Sequence, residues 1–157
     1  GVLLSQALPR GIDRTQMVVV SPDTGGKSRS EKFATTMSLP IIYLDKARNP
    51  VTGEVAVIGI SADVQGRHVI IFDDIINTGA TAAKTSHFLK TKGANHVYFL
   101  ATHAVLAGHA PELLQKSMID NIIVTDTIWV PQEKQFAKLS SASVAPLLAD
   151  AIKPSVG

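Results

Sequence analysis

The 157 residues suffice for one compact α/β domain with a buried core and fall short of two ordinary domains. Hydrophobic residues at 45% and charged residues at 18% fit a folded globular chain rather than a disordered one. A formal charge of only +2 suits a phosphate ligand but is too small and too scattered for nucleic acid, and 5% aromatic residues leave little for a single-strand stacking platform.

The chain has no cysteine. Disulfide frameworks, thiolate zinc sites and cysteine nucleophiles are therefore out, and a reducing, cytoplasmic location is the expectation. Gly1–Ser5 has no positive segment followed by a long apolar run, so no signal peptide is expected. No stretch reaches the roughly 18 apolar residues of a membrane-spanning helix, and no membrane partner is expected.

In chain order, short apolar runs alternate with helical stretches, with no internal repeat. The runs are Met17–Val20, Pro40–Leu44, Glu54–Ile60, His68–Phe72, Val97–Ala101 and Ile122–Val124. Helices are predicted over Ser28–Ser38, Thr81–Lys92 and Pro111–Lys116, with Gly93 as a stop after the second. Consecutive apolar positions indicate strands covered on both faces. Strand–helix alternation then gives a doubly wound, mostly parallel α/β sheet, with ligands outside the carboxyl ends of its strands.

The segment with the most chemistry is Val69-Ile70-Ile71-Phe72-Asp73-Asp74-Ile75-Ile76-Asn77-Thr78-Gly79-Ala80-Thr81. An apolar strand delivers two carboxylates, and a short glycine-containing loop leads into a helix. Gly79 lets the backbone turn its N–H groups toward one point, the helix start adds partial positive charge, and Thr78 and Thr81 add hydroxyls. This set suits a phosphate dianion at Asn77–Thr81. Asp73 and Asp74 suit the vicinal hydroxyls of a ribose, directly or through Mg2+. A generic Thr-Gly-x-Thr would be no more than a helix cap; the acidic pair and its spacing make this one specific.

A second loop, Asp23-Thr24-Gly25-Gly26, also follows a strand and precedes a helix, with Lys27 and Arg29 beyond it. Two glycines allow close backbone approach to a diphosphate, although alone the motif is an ordinary Pro-Asp turn. Lys46 and Arg48 end the second strand before a flexible-looking Asn49–Gly53 connection. Two cations there could neutralise a transferring phosphoryl group; a solvated basic turn is the usual fate of such a pair. None of the five histidines has metal-ligand spacing with a third ligand nearby. His103 is placed either at the site rim or in a structural role, and Trp129 in packing.

The Val69–Thr81 segment resembles the phosphoribosyl-diphosphate signature of type I phosphoribosyltransferases and of ribose-phosphate pyrophosphokinases. Further segments resemble the pyrophosphokinases: Val20–Gly26 their pyrophosphate loop, Ile42–Arg48 their catalytic strand, and Thr102–Gly108 a strand-to-loop segment. Val124–Ile128 with Pro131, Glu133 and Lys134 resembles a late strand and loop, and Leu139, Ser140 and Ser143–Ala149 their final helix. Thr24, Asn77, Ala47 and Ala104 depart from the family's usual residues. The resemblance runs from about Met17 to about Ile152 and implies one phosphoribosyltransferase-like domain, the carboxyl-terminal half of a two-domain synthetase.

What that resemblance implies is a transferase (a kinase of nucleotide biosynthesis) that moves a diphosphoryl group from ATP to ribose 5-phosphate, giving phosphoribosyl diphosphate. Lys46 and Arg48 would be catalytic, Asp73, Asp74 and Asn77–Thr81 would bind ribose 5-phosphate, and Asp23–Gly26 the diphosphate. Asp23 and Asp73 would serve Mg2+, and the full-length form would be a homo-oligomer. In that family much of the ATP site comes from the amino-terminal half, so this chain is expected to bind the sugar phosphate but to make product poorly. Two alternatives stay open: a phosphoribosyltransferase, for which no base-binding hood is legible, and a non-catalytic regulatory subunit that binds the same ligand.

Overall fold

The computed structural model describes residues 1–9, 11–22, 25–48 and 55–153. Its seven strands are β1 (Met17–Ser21), β2 (Ile41–Arg48), β3 (Val55–Ile60), β4 (His68–Ile76), β5 (His96–Ala104), β6 (Asn121–Thr125) and β7 (Leu139–Ala142). The helices are α1 (Val2–Gln6), α2 (Lys27–Met37), α3 (Ala80–Thr91), α4 (Ala110–Lys116) and α5 (Ala145–Ile152). The strands form one sheet in the order β3-β2-β1-β4-β5-β6-β7. Every neighbouring pair is parallel except β2 and β3, which are antiparallel. The expected doubly wound, mostly parallel sheet is therefore the observed fold.

The unbroken apolar runs have a direct cause. In β1 and β4, Val18, Val20, Val69 and Ile71 point to one face, where Ala82 and Leu89 of α3 and Ala110 and Leu114 of α4 pack. Met17, Val19, Ile70 and Phe72 point to the other, against Leu4 of α1 and Phe33 and Ala34 of α2. A strand with helices on both faces has no polar side to alternate with. Phe33 stacks on Phe72 with ring centroids 4.3 Å apart, which seats α2 against β4.

Three elements differ from the sequence-based expectation. β4 does not end at Phe72; it continues through both aspartates because β5 is equally long and pairs Asp73 with Ala101 and Ile76 with Ala104. Leu139 and Ser140, which resemble part of a final helix, lie in β7, a short edge strand parallel to β6 in the register Ile122–Leu139 to Thr125–Ala142. The final helix starts only at Ala145. Trp129, expected in packing, is 79% exposed, in the irregular segment that follows β6.

The order of the strands decides where the chemistry lies. The chain goes from β1 outward to β2 and β3, then returns to the opposite side of β1 as β4. β1 and β4 are thus parallel neighbours whose following connections leave in opposite directions. That is the switch point of an open α/β sheet, where a crevice opens outside the carboxyl ends of the strands.

Candidate functional site

At the end of β4 the chain turns through Asn77, Thr78 and Gly79 into α3. Gly79 is the helix N-cap and sits at φ 75°. A Cβ there would lie 2.8 Å from the Leu114 side chain of α4. The left-handed backbone and the close approach of the buried Leu114 side chain both demand glycine. No side chain caps α3. Its first-turn N–H groups, which have no partner inside the helix, are thus left for a ligand.

The loop is braced from outside. The N–H groups of Val105 and Leu106 both donate to the Ile76 carbonyl, at 2.9 and 3.2 Å, and that of Ala107 donates to the Asn77 carbonyl at 3.0 Å. Leu106 is completely buried and has φ 49°, a conformation that costs a leucine about 1–2 kcal/mol. This strap after β5 occupies the loop carbonyls.

Asp73, Asn77, Thr78, Gly79 and Thr81 line one cavity of about 210 Å³, floored by Ala82 and Phe99. Five of the expected sugar-phosphate residues therefore meet in one place. Ala80 lines a smaller adjoining cavity together with Thr81 and Lys46. Asp74 does not line this cavity; like Asp73 it is bonded to Arg29.

Arg29, in the first turn of α2, is the residue whose role the sequence did not reveal. Its Nη1 donates to Asp73 Oδ1 at 2.5 Å and to Asp74 Oδ1 at 2.9 Å, and its Nη2 lies 2.8 Å from Asp74 Oδ2. Both carboxylates are thus gathered by one guanidinium fork. The Asp73 carboxyl nevertheless sits above the usual carboxylate range. Burial is the main cause, and Asp74 beside it adds to the effect against the pull of the Asp74 amide and Arg29. Arg29 follows the diphosphate loop in sequence, but its partners lie 44 and 45 positions further on.

Of that diphosphate loop, Asp23 and Thr24 lie outside the described residues. Gly26 is buried and is the N-cap of α2; Gly25 precedes it and is exposed. Lys46 and Arg48 lie in β2, in the antiparallel pairing with β3, opposite Val57 and Val55. The register shifts between Asp45 and Lys46, and such a bulge re-aims the side chains that follow it. The shift brings Lys46 to the cavity shared with Ala80 and Thr81. The Asn49–Gly53 connection lies outside the described residues.

Of the two placements left open for His103, the structure gives it a partner at the carboxyl end of β5. Its Nδ1 is 2.9 Å from Thr127 Oγ1, and Thr127 in turn donates to the Thr102 carbonyl. Among the described residues no group of three or more histidine, cysteine or acidic side chains could hold a metal ion. No helix among them is long and apolar enough to cross a membrane.

Residues 16–155 match the family model of the phosphoribosyl synthetase-associated domain. Ribose-phosphate pyrophosphokinase 1 of Lactococcus lactis is 43% identical over 87% of this chain and 42% of its own length. A putative ribose-phosphate pyrophosphokinase 2 of Lactiplantibacillus plantarum is 43% identical over 97% of this chain and 47% of its own. The crystal structure of phosphoribosylpyrophosphate synthetase from Mycobacterium smegmatis superposes with a TM-score of 0.78 at 37% identity, covering 90% of this chain and 45% of that one. The chain thus spans somewhat less than half the length of the curated relatives it matches.

Proposed function

Since the chain belongs to the phosphoribosyl synthetase-associated domain family, we propose that it is the ribose-phosphate half of a ribose-phosphate pyrophosphokinase. The observation that carries this reading is the 210 Å³ cavity at the end of β4, where carboxylate, hydroxyls and uncapped helix N–H groups converge beside the switch point. The full-length protein transfers a diphosphoryl group from ATP to the anomeric hydroxyl of ribose 5-phosphate, yielding phosphoribosyl diphosphate and AMP.

The roles follow from the chemistry of each group. Asn77–Thr81 hold the 5-phosphate through backbone N–H groups and the two threonine hydroxyls. Asp73 and Asp74 accept from the ribose hydroxyls. Asp23–Gly26 receive the diphosphate, and Lys46 and Arg48 neutralise charge on the transferring group. Transfer of this kind needs alignment and neutralisation more than covalent chemistry.

Mg2+ fits the acidic pair. Three of its four carboxylate oxygens accept from a single cationic side chain, so this is a place that draws positive charge. Magnesium is content with one or two carboxylates plus substrate oxygens. Asp73 would hold it with Asp23, and the ion would offset phosphate charge. The long exposed apolar side chains of α5, Leu147, Leu148 and Ile152, all more than half exposed, support a homo-oligomer in the full-length form. A cytoplasmic setting agrees with the cysteine-free sequence.

Calorimetric titration of the purified chain with ribose 5-phosphate tests the reading. One-site binding is expected, weakened roughly tenfold or more in Thr78→Val or Asp73→Asn. A folded chain that binds neither ribose 5-phosphate nor phosphoribosyl diphosphate overturns it. With ATP added, little product is expected from this half; substantial synthesis overturns the division of labour between the two halves.

A further inference from the structure

Asp73 and Asp74 leave the end of β4 as adjacent carboxylates, and one guanidinium holds both. Asp73 Oδ1 accepts from Arg29 Nη1 at 2.5 Å and from the Asp74 N–H at 2.9 Å, which uses both of its lone pairs. Asp74 turns its two oxygens to the same side chain, at 2.9 and 2.8 Å. Of the four carboxylate oxygens, Asp73 Oδ2 alone has no bond among the described residues. The acidic pair is thus closed by a cation that the chain itself supplies.

That cation is placed so that it can leave. Among the described residues the Arg29 side chain bonds only to these two carboxylates. It is 36% exposed, so moving it does not open the core. It also borders an open cavity of about 340 Å³, lined in part by Lys32, Phe33, Thr36 and Phe72, which gives it room to swing. The empty site needs a counter-charge, because two adjacent carboxylates repel and Asp73 is partly buried. The loaded site brings its own. Mg2+ takes one or two carboxylates together with substrate oxygens, and a dication and a guanidinium repel each other over the same oxygens.

We propose that Arg29 is a positioning residue that works by exchange: it holds Asp73 and Asp74 while the site is empty and yields them to Mg2+ and the ribose hydroxyls when substrate arrives. The exchange rests on the ribose-phosphate reading for the identity of that substrate, not for the competition between the two cations. Arg29 keeps both carboxylates ionised and aimed in the empty protein. It also holds off free Mg2+, so that the metal enters with the anionic substrate rather than before it.

The test is NMR titration of the whole chain with Mg2+ alone, read at the Asp73 and Asp74 amides, for the wild type, Arg29→Lys and Arg29→Met. The half-saturating Mg2+ concentration is expected to fall roughly tenfold or more in Arg29→Met. Arg29→Lys should lie between, because lysine keeps the charge and loses the fork. A purely structural role predicts the opposite sign, and a gain in affinity cannot come from lost folding. The wild type gives a second readout that needs no variant. Its Arg29 guanidinium protons, protected from solvent exchange while bonded to both carboxylates, should lose that protection as Mg2+ saturates the site. Mg2+ binding that is equal or weaker in Arg29→Met, or a guanidinium still protected in the saturated wild type, overturns the exchange and leaves Arg29 a fixed brace. A chain that binds neither ribose 5-phosphate nor phosphoribosyl diphosphate overturns the proposed function instead, and the Mg2+ titrations still decide the exchange.

Discussion

The loop between β4 and α3 and the ribbon of β2 and β3 face the same crevice but are built differently. The loop springs from a central strand whose residues 69–71 are fully buried, is pressed against Leu114, and has its carbonyls bonded to the strap at 105–107. The ribbon ends the sheet, is its one antiparallel pair, and exposes Ile58 at 65%. Gly79, the buried residue of that loop, is therefore tied to the core, and changing it should move stability and affinity together. Charges on the ribbon are outside the core and should move function alone.

Substitutions can break that contrast. The largest effect is expected for Gly79→Val, which adds both a left-handed β-branched residue and a clash with Leu114; about 2–4 kcal/mol of stability should go, along with ribose 5-phosphate binding, as read by urea unfolding and calorimetry. Affinity lost without stability would show that the loop is not core-built.

Next comes Arg29→Met, which leaves Asp73 and Asp74 side by side without their cation. Arg29 is 36% exposed, so the loss is modest, about 1–2 kcal/mol at neutral pH. Its pH dependence has a definite sign. The folded-state pKa of Asp73 is already raised by burial, so ionised Asp73 disfavours the fold, and that penalty fades as pH falls through the raised folded-state pKa and is gone at the unfolded value. As pH falls from neutral toward the ordinary carboxylate range, the variant should regain stability more steeply than the wild type. A flat difference across that range would mean that Arg29 does not hold Asp73 in solution.

Asp120 is the counter-example far from the site, and its effect should be smaller. Burial pushes its carboxyl up, but the Val97 amide at 2.7 Å, Lys90 and the charge of His96 outweigh this and hold it below its ordinary value. It therefore stabilises above its unfolded pKa, and the contribution is lost as pH falls through the folded one. Asp120→Asn should cost about 1 kcal/mol at neutral pH and nothing in acid, by thermal melts across pH. The smallest change in stability is expected for Lys46→Met, within about 0.5 kcal/mol, while the full-length protein carrying it loses turnover. Unchanged turnover there would return Lys46 to a solvated basic turn.

The parts that were legible in the sequence are those with local signals. β1 and β4 announce themselves as unbroken β-branched runs, because helices cover both of their faces. The Asn77–Thr81 loop is legible because turn, glycine and hydroxyls lie within five positions. β7 was not, because Leu139-Ser140-Ser141-Ala142 is a half-exposed edge strand whose only reason to be extended is β6 beside it. α1 has five residues, too few to signal a helix, and exists because Leu4 docks in the core. The Arg29 clamp joins α2 to β4 across the switch point, and no spacing rule reaches that far along the chain. The exposure of Trp129 depended on what does not cover it, which the sequence could not say.

The strap at Val105–Ala107 makes the loop and the β5–α4 connection share one set of hydrogen bonds. A ligand that steadies the loop must therefore also slow the opening of those bonds. The amides of Val105, Leu106 and Ala107 become built-in reporters of occupancy: their hydrogen exchange should slow when ribose 5-phosphate binds, although none of the three lines the cavity.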